Sequence, residues 1–255
     1  MRGMEAVFIT DRGKVRSRNE DNGGIFRSEE GILLLVADGM GGHLAGDVAS
    51  RMALSSFEQS WAEEKDFSTP VLAESWLKEQ IEKANRLLLS HASQHPECKG
   101  MGTTIVVALC TERFTTIANI GDSRCYIYNE NGFKQITEDH SLVNELVRTG
   151  QISREDAEHH PRKNVLVRVL GTEEKANIDI RTIILDENDY LLLCSDGLSN
   201  KLSEQDIISI IQQDSSLGEK GNRLIALANE YGGEDNITLA LLHFNSRSEG
   251  GRNIC

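Results

Sequence analysis

Apolar residues along this chain gather in short dense runs parted by polar, glycine-bearing turns, and several longer stretches carry a helical repeat instead. The densest run, residues 31–37, is apolar at nearly every position, the pattern of a strand covered on both faces. Residues 6–10 and 24–26 predict short strands on either side of the polar segment DRGKVRSRNEDN. Over residues 45–61, Val48, Met52, Phe57 and Trp61 recur near helical spacing beside Ala49 and Ala53. Over residues 71–90, Leu77, Ile81, Ala84 and Leu88 form a second stripe. Strands then follow in quick succession at residues 103–109, 114–120, 125–129 and 133–136, the last pair joined around Asn131-Gly132, a strong hairpin signal. Connections this short cannot hold crossover helices, so the region is antiparallel.

Further on, the pattern predicts a helix at residues 142–149, a capping-like Ser153-Arg-Glu-Asp156, and strands at 178–185 and 190–194. Ser203-Glu-Gln-Asp206 caps a helix that buries Ile207, Ile208, Ile210 and Ile211. Another, near residues 222–231, turns Leu224, Leu227, Ala228 and Tyr231 inward. A strand at 237–244 closes the core, and residues 246–255 read as a polar, frayed tail. The fold class is α+β rather than an alternating parallel one.

At 255 residues with only 3 Pro, and no linker-like stretch or internal repeat, the chain is expected to form one domain over residues 1–245. Its net charge of −13 argues against nucleic acid or an anionic membrane surface as partner. No stretch approaches the roughly 18 apolar residues of a membrane span, and the start lacks a signal-peptide core. The 5 Cys are widely spaced without a CxxC, which suits reduced thiols in a cytoplasm; Cys110 and Cys194 sit in apolar runs as small core residues. A soluble cytoplasmic monomer is the expectation.

The candidate chemistry lies where apolar runs meet acids. Asp38 ends a run in LLLVADGMGGH, Asp122 follows TTIANIG, Asp196 follows LLLCS, and Asp235 precedes ITLALLHF. Each alone is ordinary turn chemistry, since Asp bonds its own backbone and Gly permits positive φ. Together they place four acids beside four strands, and converging carboxylates repel unless cations lie between them. Oxygen ligands without a Cys or His cluster favour Mg²⁺ or Mn²⁺. EF-hand spacing is absent, as are GxGxxG and GxxxxGK, which weakens a calcium-loop reading and removes a nucleotide-loop one. Arg16 taken alone is a solvated loop charge, whereas His43 is either a proton donor beside the glycine turn or a surface histidine at a helix start.

In order, Arg16-Ser-Arg-Asn19-Glu20-Asp21, Asp38-Gly-Met-Gly-Gly-His43, Gly102-Thr-Thr104, Gly121-Asp-Ser-Arg124, Ser195-Asp-Gly197 and Glu234-Asp-Asn236 resemble the motif series of the metal-dependent serine/threonine protein phosphatases, the PPM or protein phosphatase 2C family, in its compact bacterial form. The likeness runs from about Thr10 to Phe244. It implies a central sandwich of two mainly antiparallel β-sheets with a helical layer on each side (α-β-β-α), plus a flap at about residues 140–170. It implies metal-dependent hydrolysis of phosphoserine and phosphothreonine in proteins by a metal-bridging water, with a cognate serine/threonine kinase among the partners.

The resemblance also assigns roles. Two Mn²⁺ or Mg²⁺ ions would be held by Asp38, Asp196, Asp235 and the Gly39 carbonyl, with Glu20 and Asp21 near them through water. A third ion would be shared by Asp122 and Asp196. Arg16 would clamp the phosphate and His43 would protonate the leaving oxygen, while Arg124 is read as the structural partner of Asp122. The basic flap residues His159, His160, Arg162, Lys163 and Arg168 either draw an acidic phosphopeptide or face solvent. A catalytically inactive phosphoprotein binder of the same fold is the alternative function, but such a chain should have lost one of the metal acids.

Overall fold

The computed structural model describes residues 3–42, 45–63 and 66–245. Two antiparallel sheets lie face to face. The first runs β1 (Met4–Asp11), β11 (Ile237–Phe244), β10 (Tyr190–Cys194), β7 (Arg124–Asn129) and β8 (Gly132–Gln135) from edge to edge. The second runs β2 (Asp21–Arg27), β3 (Ile32–Met40), β5 (Ile105–Cys110), β6 (Thr115–Ile120) and β9 (Asp179–Ile183), with the short β4 (Gly102–Thr103) paired to the end of β3. Helices α1 (Ala45–Trp61) and α2 (Pro70–Gln94) cover the second sheet. Helices α5 (Asp196–Ser199), α6 (Glu204–Ile211) and α7 (Leu217–Glu230) cover the first. The layers are those of an α-β-β-α sandwich.

Strand β3 shows why its run is apolar throughout. Leu33, Leu35 and Ala37 belong to the core shared with α1 and α2, while Ile32, Leu34 and Val36 point into the layer between the sheets, where Cys125, Leu191, Leu193 and Ala240 also lie. With a period of two, a strand buried on both faces has no polar side to show. On the helical side, the rings of Phe57, Trp61, Phe67 and Trp76 meet at centroid separations of 5.4 to 6.1 Å and tie α1 to α2. Capping follows from the chain: Thr69 caps α2 ahead of Pro70, and Ser203 and Ser216 each close a capping box at α6 and α7.

Several expectations are corrected. Strand β3 does not stop before Asp38 but runs through it to Met40, because β2 pairs Asp21 with Asp38 and β4 pairs Thr103 with Gly39. Ile208 is half-buried, and Ile225 rather than Leu227 is the buried neighbour of Leu224. Tyr231 stands past the last turn of α7 and is 50% exposed, so the buried stripe ends before its periodicity suggests. The expected tail lies outside the described residues.

Between β8 and β9 the chain forms α3 (Leu142–Arg148) and α4 (Arg154–Glu158), then returns along residues 159–170. The return is pinned by bridges from Leu166 to Ser141 and from Leu170 to Thr103. Asn85, buried on α2, clamps its root: its Oδ1 accepts from the Gly171 N–H at 2.7 Å and its Nδ2 donates to the Glu173 carbonyl at 2.8 Å.

Candidate active site

The ends of β3, β6 and β10 and the start of β11 meet at one edge of the sandwich, and the loop between β1 and β2 folds over them. This edge encloses a cleft of about 210 Å³ lined by Arg16, Glu20, Asp38, Gly39, Met40, Gly41, Thr104, Asp122, Asn164, Leu166, Asp196, Asp235 and Asn236. Asp21 lies just behind it, opposite Asp38 in the register of β2 and β3 and almost wholly buried. Of the expected site residues, only His43 falls outside the described residues.

Asp38, Asp21, Asp196 and Asp235 are held by identifiable bonds. The Asp38 N–H donates to Thr104 Oγ1 at 3.0 Å, and its carbonyl accepts from the Thr104 N–H and from Thr103 Oγ1, both at 2.9 Å. Asp21 Oδ2 accepts from Ser195 Oγ at 2.7 Å, while the same hydroxyl accepts from the Thr238 N–H at 3.0 Å. Asp196 opens α5, where Asn200 Nδ2 reaches its Oδ2 at 3.1 Å. Arg16 extends from its loop to place Nη2 2.8 Å from Asp235 Oδ2. That loop is fixed by Asn236, which accepts from the Glu20 N–H and donates to the carbonyls of Arg12 and Arg18, at 2.8 to 2.9 Å.

The electrostatics are those of crowded carboxylates. Burial, then the charges of Asp21, Asp196, Asp122 and Asp235, holds the Asp38 carboxyl well above the usual carboxylate range. Burial likewise raises Asp21 and, with Asp235 beside it, Asp196, where a hydrogen bond with Asp38 works against the rise. Burial and the nearby Asp196 and Asp139 push Asp122 up to about 7. Glu20 is raised chiefly by burial, against the lowering effect of Arg16.

These residues suit a hard divalent cation. Asp21 Oδ1 and Asp196 Oδ1 are buried carboxylate oxygens with no hydrogen-bond partner among the described residues. The Gly39 carbonyl and Glu20 Oε2 each lie 2.8 Å from the point where a Cβ on Gly46 would stand, so glycine at the start of α1 leaves open a cradle between two oxygen donors. Among the described residues no trio of Asp, Glu, His or Cys closes into a ready coordination shell. The carboxylates border a cleft rather than a cage, and a hard cation there would complete its shell with carbonyl oxygen and water.

Two readings of individual residues change. Arg124 gives its hydrogen bonds elsewhere than to Asp122: its Nη2 and Nε bond Asp139 at 2.7 to 3.1 Å and its Nη1 donates to Tyr126 at 3.0 Å. Arg168 is tied to Asp179 at 3.2 Å, whereas Arg162 and Lys163 face solvent. Residues that the sequence leaves without a role acquire one. Thr104, Ser195 and Asn236 hold the acids and their loops, and Asn164 and Leu166 form a wall of the cleft. A Thr-Thr pair before a buried strand and an Asn after Asp235 are the available signals for the first group. Nothing in the local pattern marks the second.

The chain is similar to known proteins along most of its length. The family model described as protein phosphatase 2C matches residues 11–228. The serine/threonine phosphatase stp of Listeria welshimeri is 47% identical over 248 residues, covering 97% of this chain and 98% of the relative. A solved serine/threonine phosphatase of S. agalactiae superposes with a TM-score of 0.90 at 41% identity, over 95% of this chain and 100% of the other. The catalytic domain of the serine/threonine protein phosphatase PstP, solved in complex with 2 manganese ions, gives a TM-score of 0.83 at 30% identity over 96% of this chain and 100% of the other.

Proposed function

This chain belongs to the protein phosphatase 2C family and is a serine/threonine protein phosphatase, and from that premise we propose that it hydrolyses phosphoserine and phosphothreonine esters in proteins with divalent ions held by Asp38, Asp196, Asp235 and the Gly39 carbonyl. The observation that carries the proposal is the meeting of these donors with Arg16 in one cleft, where buried carboxylate oxygens stand without partners among the described residues. Bound Mn²⁺ or Mg²⁺ supplies a water acidic enough to attack at neutral pH and neutralises phosphoryl oxygens. Two ions is the expected number, in keeping with the PstP complex, and Asp122 with Asp196 offers a third site.

The protein's own groups do the rest. Arg16 presents a planar fork of N–H donors that suits two phosphate oxygens, and its bond to Asp235 aims it across the cleft. Asp21 and Glu20 act through ordered water, Asp21 oriented by Ser195. His43 supplies the proton to the departing Ser or Thr oxygen. Leu166 and Asn164 border the cleft from the 140–170 segment, which we read as the flap that substrates meet. Phosphoproteins are the substrates, a cognate serine/threonine kinase among them, and the chain acts in the cytoplasm as a monomer. No helix among the described residues is long and apolar enough to cross a membrane.

Calorimetric titration with Mn²⁺ tests the donor set without reference to turnover. Wild-type protein should bind with clear saturation, and Asp38→Asn should weaken binding by roughly two orders of magnitude, since a charged oxygen donor is removed. Equal affinity in the two proteins would remove Asp38 from the metal set.

A further inference from the structure

His140 is a buried histidine, 5% exposed, that takes no part in the chemistry above yet joins the turn bearing Asp122, strand β9 and the return segment that borders the cleft. It follows β8 and precedes α3. Its backbone N–H donates to the Gly121 carbonyl at 2.9 Å, and its Nδ1 accepts from the Gly121 N–H at 3.1 Å, so one residue satisfies both main-chain groups of the glycine before Asp122. Because Nδ1 is an acceptor, the proton of the neutral ring sits on Nε2, which donates to Asp179 Oδ2 at 3.2 Å. Arg168 Nη1 lies 3.3 Å from that same protonated nitrogen and donates instead to Asp179 Oδ1 at 3.2 Å. The His140 carbonyl accepts from the Val167 N–H at 2.8 Å, next to Leu166, which lines the cleft.

The glycine that His140 grips has no freedom to shift alone. Gly121 has φ +102°, and a Cβ there would come 2.6 Å from the Thr104 side chain. Thr104 Oγ1 in turn accepts from the Asp38 N–H at 3.0 Å and shares a 2.7 Å bond with Ser123. A continuous path therefore runs from Val167 and Arg168 through His140 to Gly121, and from there to both Asp122 and Asp38.

We propose that His140 is a positioning residue that locks the return segment of the flap to the Gly121–Asp122 turn, so that the placement of the flap over the cleft and the placement of the Asp122 carboxylate are set together. The proposal rests on the phosphatase reading above. Removing a group that orients a ligand-bearing loop typically costs about 10- to 100-fold in activity or metal affinity. The roles of the two ring nitrogens separate. Asn at 140 can keep an acceptor near the Nδ1 position for Gly121 but cannot reach Asp179, whereas Gln can reach Asp179 and loses the Gly121 acceptor. Asp179→Asn keeps the Nδ1 acceptor for Gly121 but removes the charge that anchors Arg168 and steadies the ring.

The test compares these three variants with the whole wild-type chain, using a small aryl phosphate, a phosphothreonine peptide and amide hydrogen exchange. His140→Gln should lower kcat on both substrates at least about tenfold, and His140→Asn should keep most of the wild-type rate. Asp179→Asn should keep turnover of the aryl phosphate and raise KM for the peptide severalfold. Exchange at residues 121–123 should quicken in Asp179→Asn although that substitution lies on the flap side, because the coupling runs through His140. Equal kcat losses in His140→Gln and His140→Asn, or unchanged exchange at residues 121–123 in Asp179→Asn, would overturn the proposal. A fall in melting temperature with normal kinetics in the folded variants would do the same, leaving His140 a core residue. Wild-type inactivity on both substrates would strike the phosphatase reading, and the exchange measurement would still decide the coupling.

Discussion

Asp122 shows how a single buried carboxyl can set the pH dependence of stability. Its carboxyl, ordinarily near 3.8, is pushed up to about 7 by burial and by its acidic neighbours. Between those two values the folded chain holds a proton that the unfolded chain has released, so this group makes the metal-free protein less stable as pH rises from about 4 to about 7, with no further change above. At about 1.4 kcal/mol per pH unit the effect has an upper bound of about 4 kcal/mol, lowered because Asp122 keeps some of its surface in water. In chelator, Asp122→Asn should therefore gain stability relative to wild type across that window, read as a widening difference in melting temperature. Parallel melting curves over the same pH range would show that the carboxyl is not desolvated. Arg124, two residues on, shows what cannot be read at this scale. Its partner Asp139 is brought near only by the β7–β8 hairpin and the chain that follows it, so proximity in sequence points to Asp122 instead.

Elements place these residues more firmly than the loops between them suggest. The run that becomes β3 is legible because both of its faces are covered, while its end is not, because β2 and β4 are partners that the run itself does not reveal. The helix over Ala45–Trp61 is legible from spacing alone, since its stripe is the one that packs. The Arg16 loop has no such pattern, and its order depends on Asn236 at the head of β11. Asn236→Ala would leave the Glu20 N–H and the Arg12 and Arg18 carbonyls without this partner, at a cost of about 2–3 kcal/mol. The same change should lower kcat/KM on a phosphopeptide by about tenfold through the loosened Arg16. Denaturant midpoints and steady-state rates check both. Loss of stability with unaltered kcat/KM would show that the loop need not be held for Arg16 to act.

At the scale of the whole molecule, the sandwich gathers a site that no segment owns. Asp38 comes from one sheet, Asp196 and Asp235 from the ends of strands in the other, and Arg16 from the loop that passes between them. The motif order makes this gathering legible in the sequence, but the wall formed by Asn164 and Leu166 is not, because it depends on how residues 140–170 fold back onto Ser141 and Thr103. A site divided between two sheets also explains why mutual repulsion of its acids is a property of the folded state, relieved when cations enter. The most direct test of this account is phosphate release from a phosphothreonine peptide by the purified chain with Mn²⁺, with Mg²⁺ and with chelator, beside Asp235→Asn. The account predicts release that requires metal, disappears in chelator and falls by at least about a hundredfold in the variant. Release that persists in chelator, or that Asp235→Asn leaves unchanged, would contradict it.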